Sequence, residues 1–312
     1  MVLGGKYKLD RRGILSFYRN RFFRLAPSYW LAIIACLYLA WSTGRTFYGV
    51  DANSYWELLK NVHPLTAFWI VFTNLMMIGQ DTLIFLRLDG GGFAWNAQMN
   101  LVPGAAMYLL LIPQAWSLGV ELWFYLIAPF LAGRRSRVIV IVLSASLFAR
   151  VIAALYGYSD EPWKDRFFPF ELAWFIAGML LQREYARNKS RIAPWVGPLI
   201  FAATLISMLI YRLLPMDPEV WHWLYLALFL LAVPFLFHWS KSSSVDRAIG
   251  ELSYPLYLCH TIVQQGIGGF TIVDGLPSWI FTTIVALGIS VLLYLFVDRP
   301  MDQWRQRLAK AG

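Results

Sequence analysis

The chain has 312 residues, 59% of them hydrophobic and 14% charged, with a mean hydropathy of +0.54. That is too apolar for a soluble globular domain and too regular for a disordered one. The net charge of +9 does not argue for a nucleic-acid partner: the basic residues sit in short connectors between apolar runs, and no basic face interleaves with exposed aromatics.

Residues 1–27 are basic, with Lys6, Lys8, Arg11, Arg12, Arg19, Arg21 and Arg24, and lack the apolar core of a cleavable signal peptide. Apolar runs of spanning length follow at 28–43, 116–132, 138–157, 167–181, 193–214, 221–239, 253–270 and 278–297. Backbone at membrane depth must satisfy its own hydrogen bonds, so each run is predicted to be a helix. The expected fold is an all-α polytopic membrane helix bundle of about eight crossings. Alternate connectors carry twenty of the 27 lysines and arginines, which puts both termini in the cytoplasm. Residues 44–115 then form one long external segment. Its apolar stretches near 65–79 and 101–113 are expected to be re-entrant or interfacial pieces, or a matched extra pair of spans. Gly90, Gly91 and Gly92 between them read as a flexible joint, too short for a phosphate-binding loop.

Cys36 and Cys259 lie inside apolar runs and are expected to be small buried hydrophobes. No His, Asp or Glu has metal-ligand spacing with His63, His222, His238 or His260, so no metal is expected. No internal repeat of the inverted-transporter kind is detectable.

Glu121 sits inside an apolar helix, and an ionisable group in hydrocarbon marks a site by default. With this topology Glu121, Arg150 and Glu171 fall at similar depths, about four to seven residues below the outer surface. A Glu–Arg–Glu cluster follows, either a structural ion pair or part of a site. His260 lies about 10 Å beneath the cytoplasmic face and could carry a proton or merely pack. Arg21 and Arg24 share a helical face before the first run. They could grip a phosphorylated ligand or anchor the chain on anionic lipid. Trp95, Trp116, Trp163, Trp221 and Trp223 could stack on sugars, although an interfacial aromatic belt accounts for them.

Four motifs in order resemble the membrane-bound acyltransferase family 3 over nearly the whole chain. They are Arg21-x-x-Arg24-x-x-Pro27, Trp116-Ser117-Leu118-x-x-Glu121 with Phe124-Tyr125 and Pro129, Leu252-Ser253-Tyr254-x-x-Tyr257-Leu258-x-His260, and Asp298-Arg299-Pro300. The resemblance implies one acyltransferase-like membrane domain over 1–312, with an acyl group, most often acetyl, moved from cytoplasmic acyl-CoA to a sugar hydroxyl. The acceptor would be a cell-surface glycan or glycolipid, and the location the cell (inner) membrane. It associates Arg21 and Arg24 with the acyl-CoA donor, and places Glu121 and His260 near the transfer path. Arg150 could stabilise the tetrahedral oxyanion if it faces the cavity. Family members normally begin with two further spans, the first carrying a catalytic histidine. Here Met1–Lys8 looks like the end of the second, and none of the four histidines matches that motif, so the chain is expected to be N-terminally incomplete. Two alternatives from other classes are a polytopic carrier of glycolipid or polysaccharide and a non-catalytic remnant.

Overall fold

The computed structural model describes residues 10–45, 52–97, 104–213, 217–267 and 278–311. Among these the chain is almost entirely helical, as expected. The stretch Met1–Lys8, read as the end of a preceding span, lies outside the described residues.

The first helix, α1, spans Arg11–Thr43, much longer than the run at 28–43. The Asp10 carboxylate accepts the Gly13 N–H at 2.8 Å and caps it, so the helix starts more than four turns upstream of the hydrophobic signal. Arg21 and Arg24 are therefore not on a loose connector. They lie in the middle of a continuous helix that ends at Gly44, whose φ of 70° suits the left-handed C-cap. Pro27 sits inside α1 and removes one backbone donor from it.

The segment after α1 goes in and comes back. Helix α2 (Ala52–Asn61) is followed by α3 (Pro64–Met76), which is capped by His63 Nδ1 accepting from the Leu65 N–H and has proline at its first position. The far end of α3 meets the middle of α1: Tyr29 donates to the Asn74 carbonyl at 2.6 Å, and Trp30 Nε1 donates to the Leu75 carbonyl at 2.9 Å. A helix of 13 residues descends about 20 Å. The chain then turns through Met77 and Gly79, both at positive φ, into a 3₁₀ turn at Gln80–Phe85. It leaves through a hairpin of β1 (Leu86–Asp89) and β2 (Gly92–Trp95), paired antiparallel. Gly90 and Gly91 are not a flexible joint. Their φ values of 55° and 80° make a tight hairpin turn, which glycine adopts without steric cost.

Residues 104–115 are not a second spanning helix either. They form 3₁₀ turns at Ala106–Leu109 and Pro113–Ala115, so an extra pair of spans is excluded. The stretch is buried in protein, which is where irregular backbone at depth is tolerated. Asn74 satisfies it: its amide donates to the Leu109 carbonyl at 3.0 Å and its Oδ1 accepts the Leu111 N–H at 2.8 Å.

The remaining runs each fall on a helix: α4 (Trp116–Ala132), α5 (Ser136–Leu155), α7 (Phe168–Asn188), α8 (Val196–Ile210), α9 (Pro218–Ser240), α10 (Ser244–Ile267) and α11 (Ser278–Leu293). A one-turn α6 (Trp163–Arg166) precedes α7. A π-turn at Tyr294–Asp298 joins α11 to α12 (Arg299–Ala311). Five of the described helices are long and apolar enough to cross a membrane: those over Arg11–Thr43, Pro113–Ala132, Ser136–Leu155, Val220–Ser240 and Trp279–Leu308. Helices α7 and α10 have the length but are less apolar along it, and α8 is shorter. Large apolar side chains stay exposed on the outer helices, among them Phe148, Ile206, Leu209 and Leu231. A soluble monomer does not leave so many uncovered.

Helix α4 is the joint of the bundle. One face packs on α1 and the other on α7, where Phe124 stacks on Phe175 at 4.4 Å. The main core lies on the α1 side: Leu25, Tyr29, Ile33, Met77, Ile112, Leu118, Leu258 and Ile262 form one cluster drawn from α1, the end of α3, the 104–115 stretch, α4 and α10.

Candidate active site

The four sequence motifs meet around the α1–α4–α10 seam. Tyr18 on α1 donates to the Leu126 carbonyl at 2.8 Å, which fixes the level of α1 against α4. Arg21, one turn on, donates to the Tyr125 hydroxyl at 3.4 Å. Its guanidinium lies 4.9 Å from the Tyr125 ring centroid and 5.4 Å from that of Phe17, so two rings hold it in place. Tyr125 in turn donates to Glu121 Oε1. The carboxylate is thus one hydroxyl away from the first motif arginine. Residues 121 and 125 share a helix face by their four-residue spacing.

The same face carries Ser117, whose hydroxyl is 2.7 Å from that of Tyr257 on α10. Tyr257 also donates to the Gln114 carbonyl, and Gln114 Nε2 donates to the Leu258 carbonyl at 3.1 Å. Tyr254, one turn earlier on α10, donates to the Leu25 carbonyl at 2.7 Å. Both tyrosines are close enough to feel the Glu121 charge. The fourth motif closes the ring: Ser28 on α1 donates to Asp298 at the π-turn. Arg24 is exposed and within electrostatic reach of both Asp298 and Tyr125. A π-turn widens the helix by one residue and aims a side chain that a regular helix would not, a recurring device at functional sites. Here it delivers Asp298 to Ser28.

His260 does not join this network through its ring nitrogens. Its Nδ1 lies 2.8 Å from the Tyr257 carbonyl and 3.1 Å from that of Leu256, both on its own helix, and the side chain is exposed. It stands beside the site, with its ring 6.3 Å from that of Tyr257.

Arg150 belongs to a different cluster, and the expected Glu121–Arg150 pairing does not form. Arg150 is paired with Glu171 at 3.5 Å and Asp165 at 3.8 Å, and it donates to the Lys164 carbonyl. The Trp223 ring lies 4.8 Å from its guanidinium and the Trp174 ring 5.6 Å. The expected Arg150–Glu171 half of the cluster is present. Glu121 is absent from it because depth along a helix says nothing about azimuth. On α4 it is Trp123 and Phe124 that face α7, near Phe168 and Phe175 respectively. Glu121, two residues before Trp123, is rotated about 200° away from it and faces α1 and α10.

Three polar residues in the descending segment had no motif to announce them. Asp81 is 4% exposed and accepts from Trp123 Nε1 at 3.1 Å. Burial pushes its carboxyl up to about 6, partly offset by that bond and by two backbone N–H groups. Gln80 is fully buried and donates to the Tyr29 hydroxyl. Their backbone presses on Gly119 of the Trp-Ser-Leu-Gly-Val-Glu run. A Cβ at 119 would lie 2.8 Å from Asp81 Oδ1 and 3.2 Å from the Asp81 nitrogen. Gly119 is therefore the notch that lets the 80–81 turn reach α4. The available signal was the polar Asn74, Gln80 and Asp81 interrupting the end of an apolar stretch.

The outer tryptophans pack rather than form a simple belt. Trp95 and Trp163 are 5.6 Å apart around Phe85, and Trp116 lies under Arg166 at 4.8 Å. Cys36 and Cys259 are both buried and unbridged. No group of three or more His, Cys, Asp or Glu side chains that could hold a metal occurs among the described residues.

Fold and site together define a multi-pass helical membrane protein whose polar residues converge on one interhelical seam. A family model for the acyltransferase 3 domain matches residues 1–295, and the chain belongs to that family of membrane acyltransferases. Over 206 residues it is 21% identical to an uncharacterized protein of Aquifex aeolicus (strain VF5), covering 64% of this chain and 91% of that protein. No solved structure matches.

Proposed function

We propose that the protein is an O-acyltransferase of the cell (inner) membrane. It moves an acetyl or related acyl group from cytoplasmic acyl-CoA to a sugar hydroxyl of a cell-surface glycan or glycolipid. The observation that carries this reading is the chain Arg21–Tyr125–Glu121, which joins a phosphate-binding side chain to a carboxylate across the α1–α4 seam.

In the reaction the acceptor oxygen attacks the thioester carbonyl, its proton leaves to a base, and the tetrahedral intermediate expels the CoA thiolate. Arg21 and Arg24 hold the donor's phosphates, for which a guanidinium's fork of donors is suited. Glu121 receives the hydroxyl proton. Tyr125 orients that carboxylate and can return a hydrogen bond as its charge changes. His260 stands one turn from Tyr257 at the same seam and is the second group able to relay a proton. Arg150, held by two carboxylates and two indoles, fixes the outer ends of α5 and α7 and acts on the reaction only through that frame. The descending segment 52–97 and the stretch 104–115 are read as a re-entrant external unit around the acceptor's side of the site.

The test uses the purified full-length protein in lipid nanodiscs with radiolabelled acetyl-CoA and envelope glycan from a strain deleted for the gene. Label entering glycan, lost in Arg21→Ala and Glu121→Gln, is the expected result. Unchanged labelling in both variants, or no labelling by wild-type protein that binds acetyl-CoA, overturns the assignment.

A further inference from the structure

A second basic site lies at the connector between α4 and α5. Four arginines, Arg135, Arg137, Arg183 and Arg187, together with Ala132 and Ser136, line a cavity of about 710 Å³. No carboxylate lines it. Arg183 is built in: it donates to the Ala132 carbonyl at 3.0 Å and to Ser136 Oγ at 3.2 Å, so the end of α7 is tied across to the α4–α5 connector. Because Ser136 Oγ accepts that bond, its own proton is free to point into the cavity. Arg187, one turn beyond Arg183, is steadied by Glu184 at 2.8 Å, an exposed pair that neutralises only part of the local charge. The cavity also opens on the first turn of the 20-residue α5, whose cap residue Arg135 makes no side-chain cap bond. The N–H groups of that turn carry the positive end of the helix dipole.

Four guanidiniums line one cavity, and an anion bound among them would offset their mutual repulsion. A topological anchor needs positive charge near the membrane surface but does not need it gathered around a concavity with two anchoring bonds. Donor forks, a hydroxyl proton and a helix N-terminus converging on one space match the oxygens of a phosphate group. The site is separate from the Arg21 seam. Ala132 lies six residues, about 9 Å, beyond Leu126, the α4 residue to which Tyr18 bonds. We infer that this cavity binds a phosphate or diphosphate group at the end of the bundle where α4 meets α5. The group comes either from a soluble phosphorylated metabolite or from an anionic phospholipid headgroup. This inference does not depend on the acyl-transfer reading.

The experiment follows thermal unfolding of the full-length protein in a zwitterionic detergent while inorganic pyrophosphate is titrated. Nanodiscs of pure phosphatidylcholine are then compared with nanodiscs holding phosphatidylglycerol. Wild-type protein is expected to gain stability with saturable dependence on pyrophosphate or on phosphatidylglycerol. Response to pyrophosphate names a soluble ligand, and response to phosphatidylglycerol alone names a lipid. The variant Arg135→Gln/Arg137→Gln leaves the Arg183 anchor intact, and it should weaken the response roughly tenfold per guanidinium removed. Arg183→Gln should abolish it, and Arg247→Gln, which removes one exposed charge from the first turn of α10, should leave it unchanged. No stabilisation by either probe overturns the inference. So does an equal loss in Arg247→Gln and Arg135→Gln/Arg137→Gln, which would reduce the effect to net charge.

Discussion

Glu121 and Glu171 are both carboxylates near the start of apolar helices, yet the fold uses them differently. Glu171 faces the Arg150 guanidinium at 3.5 Å, with side chains 17% and 12% exposed, and a second carboxylate and two indoles complete the shell. That charge is compensated on the spot. Glu121 accepts from a tyrosine hydroxyl and has no ion pair among the described residues. Its cation, Arg21, is one hydroxyl removed. The Glu171 carboxylate is engaged by a guanidinium, whereas Glu121 is held by a neutral hydroxyl. On the proposed reading the outer cluster frames the bundle, and the inner seam is where the proton moves.

The sharpest way to break this contrast is Glu121→Gln. Loss of a general base lowers transfer roughly 10²–10⁴-fold. Steady-state rates should fall by that factor while the thermal midpoint stays put; a midpoint that collapses with the rate would make Glu121 structural. Arg150→Leu should do the reverse. Removing one partner of a buried ion pair costs about 3–5 kcal/mol, whereas replacing both with apolar residues is often neutral. Arg150→Leu should thus unfold early in a denaturant titration, and Arg150→Leu/Glu171→Leu should recover most of the loss. A stable Arg150→Leu with no activity would move the outer cluster into the chemistry.

Gly119→Leu probes the contact that seats the 80–81 turn on α4. Overpacking of this kind costs about 1–3 kcal/mol, and the turn's position bears on Trp123 and thus on the α4 face opposite Glu121. Proteolysis of the 77–97 segment should become easier before global unfolding does. Tyr125→Phe is the mildest. It keeps the ring under Arg21 but removes the hydroxyl between Arg21 and Glu121. A drop of about tenfold in transfer, with donor affinity nearly unchanged, is expected from one lost hydrogen bond. A large rise in donor KM instead would make Tyr125 a donor-binding residue.

Helical runs were legible because hydrocarbon forces backbone to bond within its own segment, and each of the eight expected runs falls on a helix over its described residues. The start of α1 was not, because its first turns are polar and held by an Asp10 cap and by the Tyr18 bond to α4. The descending segment was misread in part. Its irregular backbone is tied down by Asn74, Gln80 and Asp81, each bonded to residues far away in sequence. For the site, the motif residues Arg21, Glu121, Tyr257 and Asp298 could be picked out, but not their partners.

Composition, apolar periodicity and four ordered motifs determined by themselves that this is a multi-pass helical protein of the acyltransferase 3 family. Which way each residue faces was decided only by tertiary packing. Rotation about a helix axis is set by the neighbours it meets, and in lipid a nearly all-apolar surface leaves that rotation unmarked. Hence Glu121 turned toward Tyr125 and Arg21, and Arg150 was left to Glu171.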